Sequence, residues 1–139
     1  MKQKQQVLFY GFQNVEKRER AEHALHSLGI STRALPEDAW HEKVGYLLGM
    51  KGFRTSKRDE EETFVFPHEV MILQNIRGKR LDEVLARLKA CGVEHIPYKS
   101  VVTPFNTLWT LRRLCETMQK EHAYMAEQEE KKAKKQEKA

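Results

Sequence analysis

The feature that most constrains this chain is an apolar pattern that recurs after 63 residues: Val7, Gly29, Tyr46 and Leu48 fall on Val70, Gly92, Trp109 and Leu111. Each half reads strand, helix, glycine, strand, helix, so one building plan covers 7–52 and 68–118. Identity is confined to Val7/Val70, Leu25/Leu88, Gly29/Gly92 and Leu48/Leu111. The case therefore rests on matched apolar phases and on pairs of like charge such as Lys17 with Arg80 and Glu19 with Asp82.

The stretch 7–12 (VLFYGF) is a near-continuous apolar run, as expected of a strand covered on both faces, and 70–73 is its counterpart. Ala21, Ala24, Leu25 and Leu28 form one helical stripe; Leu81, Val84, Leu85 and Leu88 form the other. More polar second strands are expected at 32–35 and 95–102, followed by Pro36 and Pro104 and by helices beginning near Asp38 and Asn106. Residues 54–67 make a polar linker. Beyond it, a single α/β domain over 1–125 runs into a charged Lys/Glu-rich tail at 126–139, whose Glu127/Lys131 and Glu130/Lys134 pairs support a long C-terminal helix. Strand-helix-strand units favour parallel pairing. The expected fold is α/β: a four-stranded, mainly parallel sheet flanked by helices, built from two strand-helix-strand-helix halves, with the strands that begin at Val7 and Val70 in the centre. The alternative is a ferredoxin-like α+β sheet of mixed direction with both main helices on one face.

The chain has 139 residues, enough to bury a core without a staple, and its two cysteines, Cys91 and Cys115, lack the paired spacing of a zinc or redox motif. No segment reaches the ~20 apolar residues of a membrane span, so a cytoplasmic protein with reduced thiols is expected. Net charge is +5; the tail from 119 onward, with six lysines against five glutamates, accounts for only +1 of it. The excess on the globular part permits an anionic partner without requiring one.

Three clusters merit attention as sites. Lys99, Thr103 and Asn106, with Trp109, stand around the end of the fourth strand, where open α/β sheets place ligands; an amine, a hydroxyl and an amide can grip a phosphate or carboxylate. Turn and cap chemistry explains the same residue types equally well. Lys17, Arg18 and Arg20 begin one main helix, and Arg77, Lys79 and Arg80 the other. Cations are costly at a helix start unless an anion or a neighbouring acid such as Glu16, Glu19, Asp82 or Glu83 compensates. His23 and His26 share a helix face with Glu19 and Glu22, without a further converging ligand, so no metal and no cofactor is expected. Gly45, Gly49 and Gly52 lie within and after a helix and not in a phosphate-cradling turn; close packing at the first two and a C-cap at the third are expected.

With VGYLLGMKGF, HEVMIL and IPYKSVVTPFNTLWTLRRL in view, the chain from 7 to 122 resembles a bacterial family of small α/β proteins, the domain of unknown function 3783 family. The resemblance implies a bacterial cytosolic source and carries no catalytic or binding residues. No G-x-S-x-G elbow, H-E-x-x-H, Walker A loop or post-strand G-x-G-x-x-G is present. The expectation is a non-catalytic binding or regulatory module for a protein or nucleic-acid partner. The alternatives are a small-ligand or anion-binding sensor or enzyme at the strand-end cleft, and a structural homodimer.

Overall fold

A computed structural model describes residues 4–93 and 95–137. The sheet has four strands in the order β2-β1-β3-β4: β1 (Gln6–Tyr10), β2 (Ser31–Ala34), β3 (Val70–Gln74) and β4 (Tyr98–Val101). β1 and β3 lie side by side at the centre, as their unbroken apolar runs require; Val7, Leu8, Phe9, Val70, Met71, Ile72 and Leu73 are all at most 1% exposed. The edge strands are shorter and more polar.

The sheet is mixed, which corrects the expectation of mainly parallel pairing. β1/β2 and β3/β4 are parallel, but the central pair is antiparallel, with Leu8 opposite Ile72. Hydrophobic periodicity records which side chains are buried and is blind to chain direction. The connection from β2 to β3 is long enough to enter from either end and so leaves the direction open. The antiparallel centre also refines the offset of 63. Val7 faces the same side of the sheet as Met71, and Val70 faces the other, because a one-residue slip exchanges the faces of a strand. Past the second strands the matching elements stand 67 apart, with Val44 and Leu47 corresponding to Leu111 and Leu114. Tyr46 and Leu48 are therefore not the counterparts of Trp109 and Leu111.

The helices α1 (Val15–His26) and α3 (Lys79–Ala90) cover one face. Asn14 caps α1, its Oδ1 accepting the Lys17 N–H at 3.1 Å, and Ala21, Ala24 and Leu25 enter the core beside Val84 and Leu88 of α3. Leu85 departs from the expected stripe: it is 37% exposed at the rim of the sheet. The mixed sheet with both main helices on one face was the feature of the ferredoxin-like alternative, yet here each strand stays beside the parallel partner that its own helix connects.

The opposite face is covered by short elements. The expected helices near Asp38 and Asn106 are 3-10 turns, Glu37–His41 and Asn106–Leu108; α-helix begins later, at α2 (Val44–Leu47) and α4 (Leu111–Glu137). Leu111, Leu114 and Cys115 anchor α4 against Leu8, Val70 and Ile72. The 27 residues of α4 span about 40 Å, so most of the helix extends beyond the contact of its first turns. Buried Glu42 ties the linker to this layer: its Oε1 accepts the Thr55 hydroxyl at 2.8 Å, the Ser56 N–H at 3.0 Å and a contact from His41 Nε2 at 3.1 Å. Ring packing at Gly45, where an added Cβ would meet Phe53, matches the expectation; Gly49 instead takes a left-handed conformation that ends α2.

Candidate functional site

The antiparallel centre separates the residues that a single strand-end cleft would have gathered. Gln13 follows the end of β1 at one edge of the sheet, whereas Gln74 and Asn75 close β3 at the other. A cavity of about 290 Å3 does open at the ends of β1 and β2, lined by Phe9, Tyr10, Gln13, Arg18 and Phe66 among others. Its polar groups are largely committed: Tyr10 donates its hydroxyl to Glu37 O at 3.0 Å, and Arg18 pairs with Glu22 at 3.0 Å.

The two basic clusters also lie at opposite ends of the sheet, and three of their six cations have a carboxylate partner. Lys17 pairs with Glu69 at 2.5 Å and Arg80 with Glu83 at 2.6 Å, and Arg77 donates to Val102 O at 3.3 Å. Arg20 and Lys79 are exposed and make no salt bridge among the described residues. Of these pairs only Arg80–Glu83 uses an acid beside its helix start; Lys17 takes Glu69, which precedes β3, and Arg18 takes Glu22 one turn further along α1.

Lys99 is not brought to Thr103 and Asn106. It points to the face bearing α3 and donates to Ile96 O at 2.9 Å, while the other two follow the far end of β4. Thr103 and Asn106 form a reciprocal cap instead. Asn106 Oδ1 accepts the Thr103 N–H at 2.8 Å, Thr103 Oγ1 accepts the Asn106 N–H at 3.1 Å, and Asn106 Nδ2 donates to Val101 O at 3.0 Å. Thr107 closes the network by donating to Pro104 O at 2.9 Å. Cap chemistry, one of the two readings of these residues, is what the fold uses.

That cap has a consequence for its neighbours. Asn106 and Thr107 are 7% and 4% exposed, while Phe105 and Leu108 are 78% and 63% exposed. The turn thus buries its polar residues and displays its apolar ones. The corresponding 3-10 turn before α2 has the same inside-outside order with opposite chemistry: Ala39 and Trp40 are buried, and Glu37 and Asp38 face solvent. Exposed apolar side chains are ordinary singly. Two of them on one turn, fixed by four hydrogen bonds, form a built surface. Trp109 adds a half-buried indole with the Arg113 guanidinium 4.6 Å over its ring, and α2, carrying exposed Tyr46, packs beside the turn. Neither 43–50 nor 103–113 contains an acid, and they contribute Lys43, Arg112 and Arg113. Neither Phe105 nor Leu108 is among the site residues expected from sequence; the available signal is the Thr-x-x-Asn spacing, which dictates which positions turn inward.

Residues 69–125, from the start of β3 into the middle of α4, match the family model described as Domain of unknown function (DUF3783). This part of the chain is similar to the DUF3783 family. The matched DUF3783 segment holds α3, β4 and the Phe105–Leu108 turn, and leaves the glycine-rich stretch after α2 outside it, so the likeness is narrower than the 7–122 span that the motifs suggested. No curated protein and no solved structure matches the chain. Among the described residues, no helix is long and apolar enough to cross a membrane, and no group of three or more His, Cys, Asp or Glu side chains is placed to hold a metal ion.

Both cysteines are free, and burial separates them. Desolvation pushes the Cys115 thiol up to about 12, with the charge of Glu116 adding to it. Burial likewise raises Tyr10 to about 12, with smaller contributions from Cys115, Glu37 and Asp38. Both native groups hold their protons while the unfolded chain ionises from pH about 9–10 upward. Stability should therefore be flat up to pH about 8.5 and fall between pH about 9 and 12, measured as urea midpoints. At pH 8, iodoacetamide should modify half-buried Cys91 readily and Cys115 only on unfolding; equal rates would contradict the burial of Cys115.

Proposed function

We propose that this protein is a non-catalytic binding module that inserts the Phe105–Leu108 turn into an apolar pocket of an acidic protein partner. The observation that carries the reading is the inverted turn: polar Asn106 and Thr107 are spent on internal hydrogen bonds while Phe105 and Leu108 are held in solvent. A prefixed apolar knob loses little conformational freedom on docking, and aromatic and arginine side chains are the residues that most often dominate binding energy. The surrounding cations, Lys43 and Arg113, favour a partner with acidic rims. A protein fits this convex turn better than a nucleic acid, because the main basic clusters, at the starts of α1 and α3, lie elsewhere. On this reading the two β-α-β units are repeats of one plan, set in a reducing cytoplasm, and the second unit has exchanged the acids of its 3-10 turn for apolar residues.

The test is site-specific photocrosslinking in cells that express the protein naturally. A benzophenone side chain at position 105 or 108 should give one discrete protein adduct, absent when the probe stands at Val65, which is 82% exposed but outside the turn. Equal labelling from all three positions would overturn the proposal. An adduct between two copies of the chain would replace it with the structural homodimer.

A further inference from the structure

The cavity of about 290 Å3 at the ends of β1 and β2 is bounded by the loop that follows β1, by the end of β2 and by residues 64–67, where the linker comes back to the sheet. Parallel strands that end side by side leave a crevice beyond their carboxyl ends, and this is where open α/β sheets take their ligands. The walls are aromatic. Phe9 and Phe12 meet edge to face with ring centres 5.2 Å apart, and Phe64 and Phe66 stack with 14° between their planes. The volume is at the small end of the range for ligand sites, which suits a molecule of one ring system with a short chain.

Two charged groups stand at this cavity, and they are of opposite sign. The stretches 9–13, 34–35 and 64–67 carry no charge, which leaves Arg18 and Glu37. Arg18 reaches Glu22 through Nε alone, at 3.0 Å, so both of its Nη groups are without a partner among the described residues. Glu37 is held by its backbone: its carbonyl oxygen accepts the Tyr10 hydroxyl at 3.0 Å, which pins the residue to the cavity wall. Its carboxylate makes no ion pair among the described residues. A guanidinium with two free Nη groups takes a carboxylate in a bidentate pair, and a carboxylate takes an ammonium. An aromatic chamber with one of each beside it is complementary to a molecule that carries a ring, a carboxylate and an ammonium together. A neutral ring would leave both charges unanswered, and a ring with one ion would leave one. We propose that this cavity binds a free aromatic α-amino acid, with its ring among Phe9, Phe12 and Phe66, its carboxylate on Arg18 and its ammonium on Glu37. The Phe105–Leu108 turn follows β4, whose end lies beside the start of β1 and not its end, so this site does not depend on the docking role of the turn.

The experiment follows the amide signals of the full-length protein while phenylalanine, tyrosine and tryptophan are each added, in parallel with the amine and the acid left when each loses its carboxylate or its amino group. At least one of the three amino acids should shift the Gly11, Gln13, Leu35 and Val65 signals saturably, and its amine and its acid should each bind about tenfold or more weakly. Arg18→Gln should lower the affinity for that amino acid about tenfold and leave its amine, which has no carboxylate to lose, unchanged. Glu37→Gln should lower it by a similar factor and leave the acid unchanged, each variant giving an otherwise native spectrum to show that it folds. No saturable shift with any of the three, shifts centred elsewhere, an amine or acid that binds as tightly as its amino acid, or variants that leave the amino acid unaffected or weaken all three molecules alike would each overturn the proposal.

Discussion

Gly11→Ala should be among the most destabilising single substitutions in this chain, costing about 3–5 kcal/mol in urea unfolding. Gly11 follows β1 with φ at +76°, where an L side chain costs roughly 1–2 kcal/mol by itself. A Cβ there would also be driven into the backbone carbonyl oxygen of His68, with Phe66 O 3.5 Å away. Neither neighbour is the free end of a side chain that can swing aside. Gly29 and Gly92 provide the control within the same molecule: they share φ of +76° but have nothing within 4 Å of an added Cβ. Alanine at either should cost only about 1–2 kcal/mol, so the difference isolates the close approach of the two chain segments. If all three substitutions cost the same, residues 66–68 do not press against the end of β1. The position matters because it lies where the linker re-enters the sheet. Tyr10 pairs with Val70, so the clearance at Gly11 is what lets the returning chain lie antiparallel to β1.

That contact also shows where the sequence stops being readable. The apolar runs at 7–10 and 70–73 announce buried central strands because both faces need apolar cover, and the stripes of α1 and α3 follow from period 3.6. Relative direction depends on backbone clearances such as the one between Gly11 and His68, and a pattern of residue types does not encode them. The same applies to Tyr46 and Trp109, which align at an offset of 63 only until the second strands shift the matching elements to 67. At the candidate surface the composition of 103–109 admitted two arrangements: polar groups outward as ligand grips, or inward as caps. The buried Asn106 side chain decides it, because an amide taken out of water needs partners, and inside the turn it finds the Thr103 N–H and Val101 O. Lys99 belongs to a different face because side chains alternate along β4, which separates it from the residues that follow the strand's end.

The second large effect separates building the turn from using it. Asn106→Ala removes the acceptor of the Thr103 N–H and the donor to Val101 O, both in a buried setting, and should cost about 2–4 kcal/mol. Asn106→Asp keeps the acceptor for Thr103 but sets a carboxylate oxygen against Val101 O in a buried position, so its cost should be no smaller than that of alanine. Phe105→Ala combined with Leu108→Ala should change stability by no more than about 0.5 kcal/mol, because both side chains are already in water in the folded protein. With the benzophenone moved to exposed Tyr46 on the neighbouring α2, the same pair should remove the crosslinked adduct altogether. Asn106→Ala should weaken the adduct as well, but under conditions where unfolding is negligible it should do so only partly, since the apolar groups remain and only their fixed presentation is lost. A turn that served only the fold would give the opposite ordering, with the Phe105/Leu108 pair costing stability and the adduct indifferent to it. Measuring the urea midpoint and the adduct yield for all three variants therefore distinguishes a displayed surface from a loosely packed corner of the core.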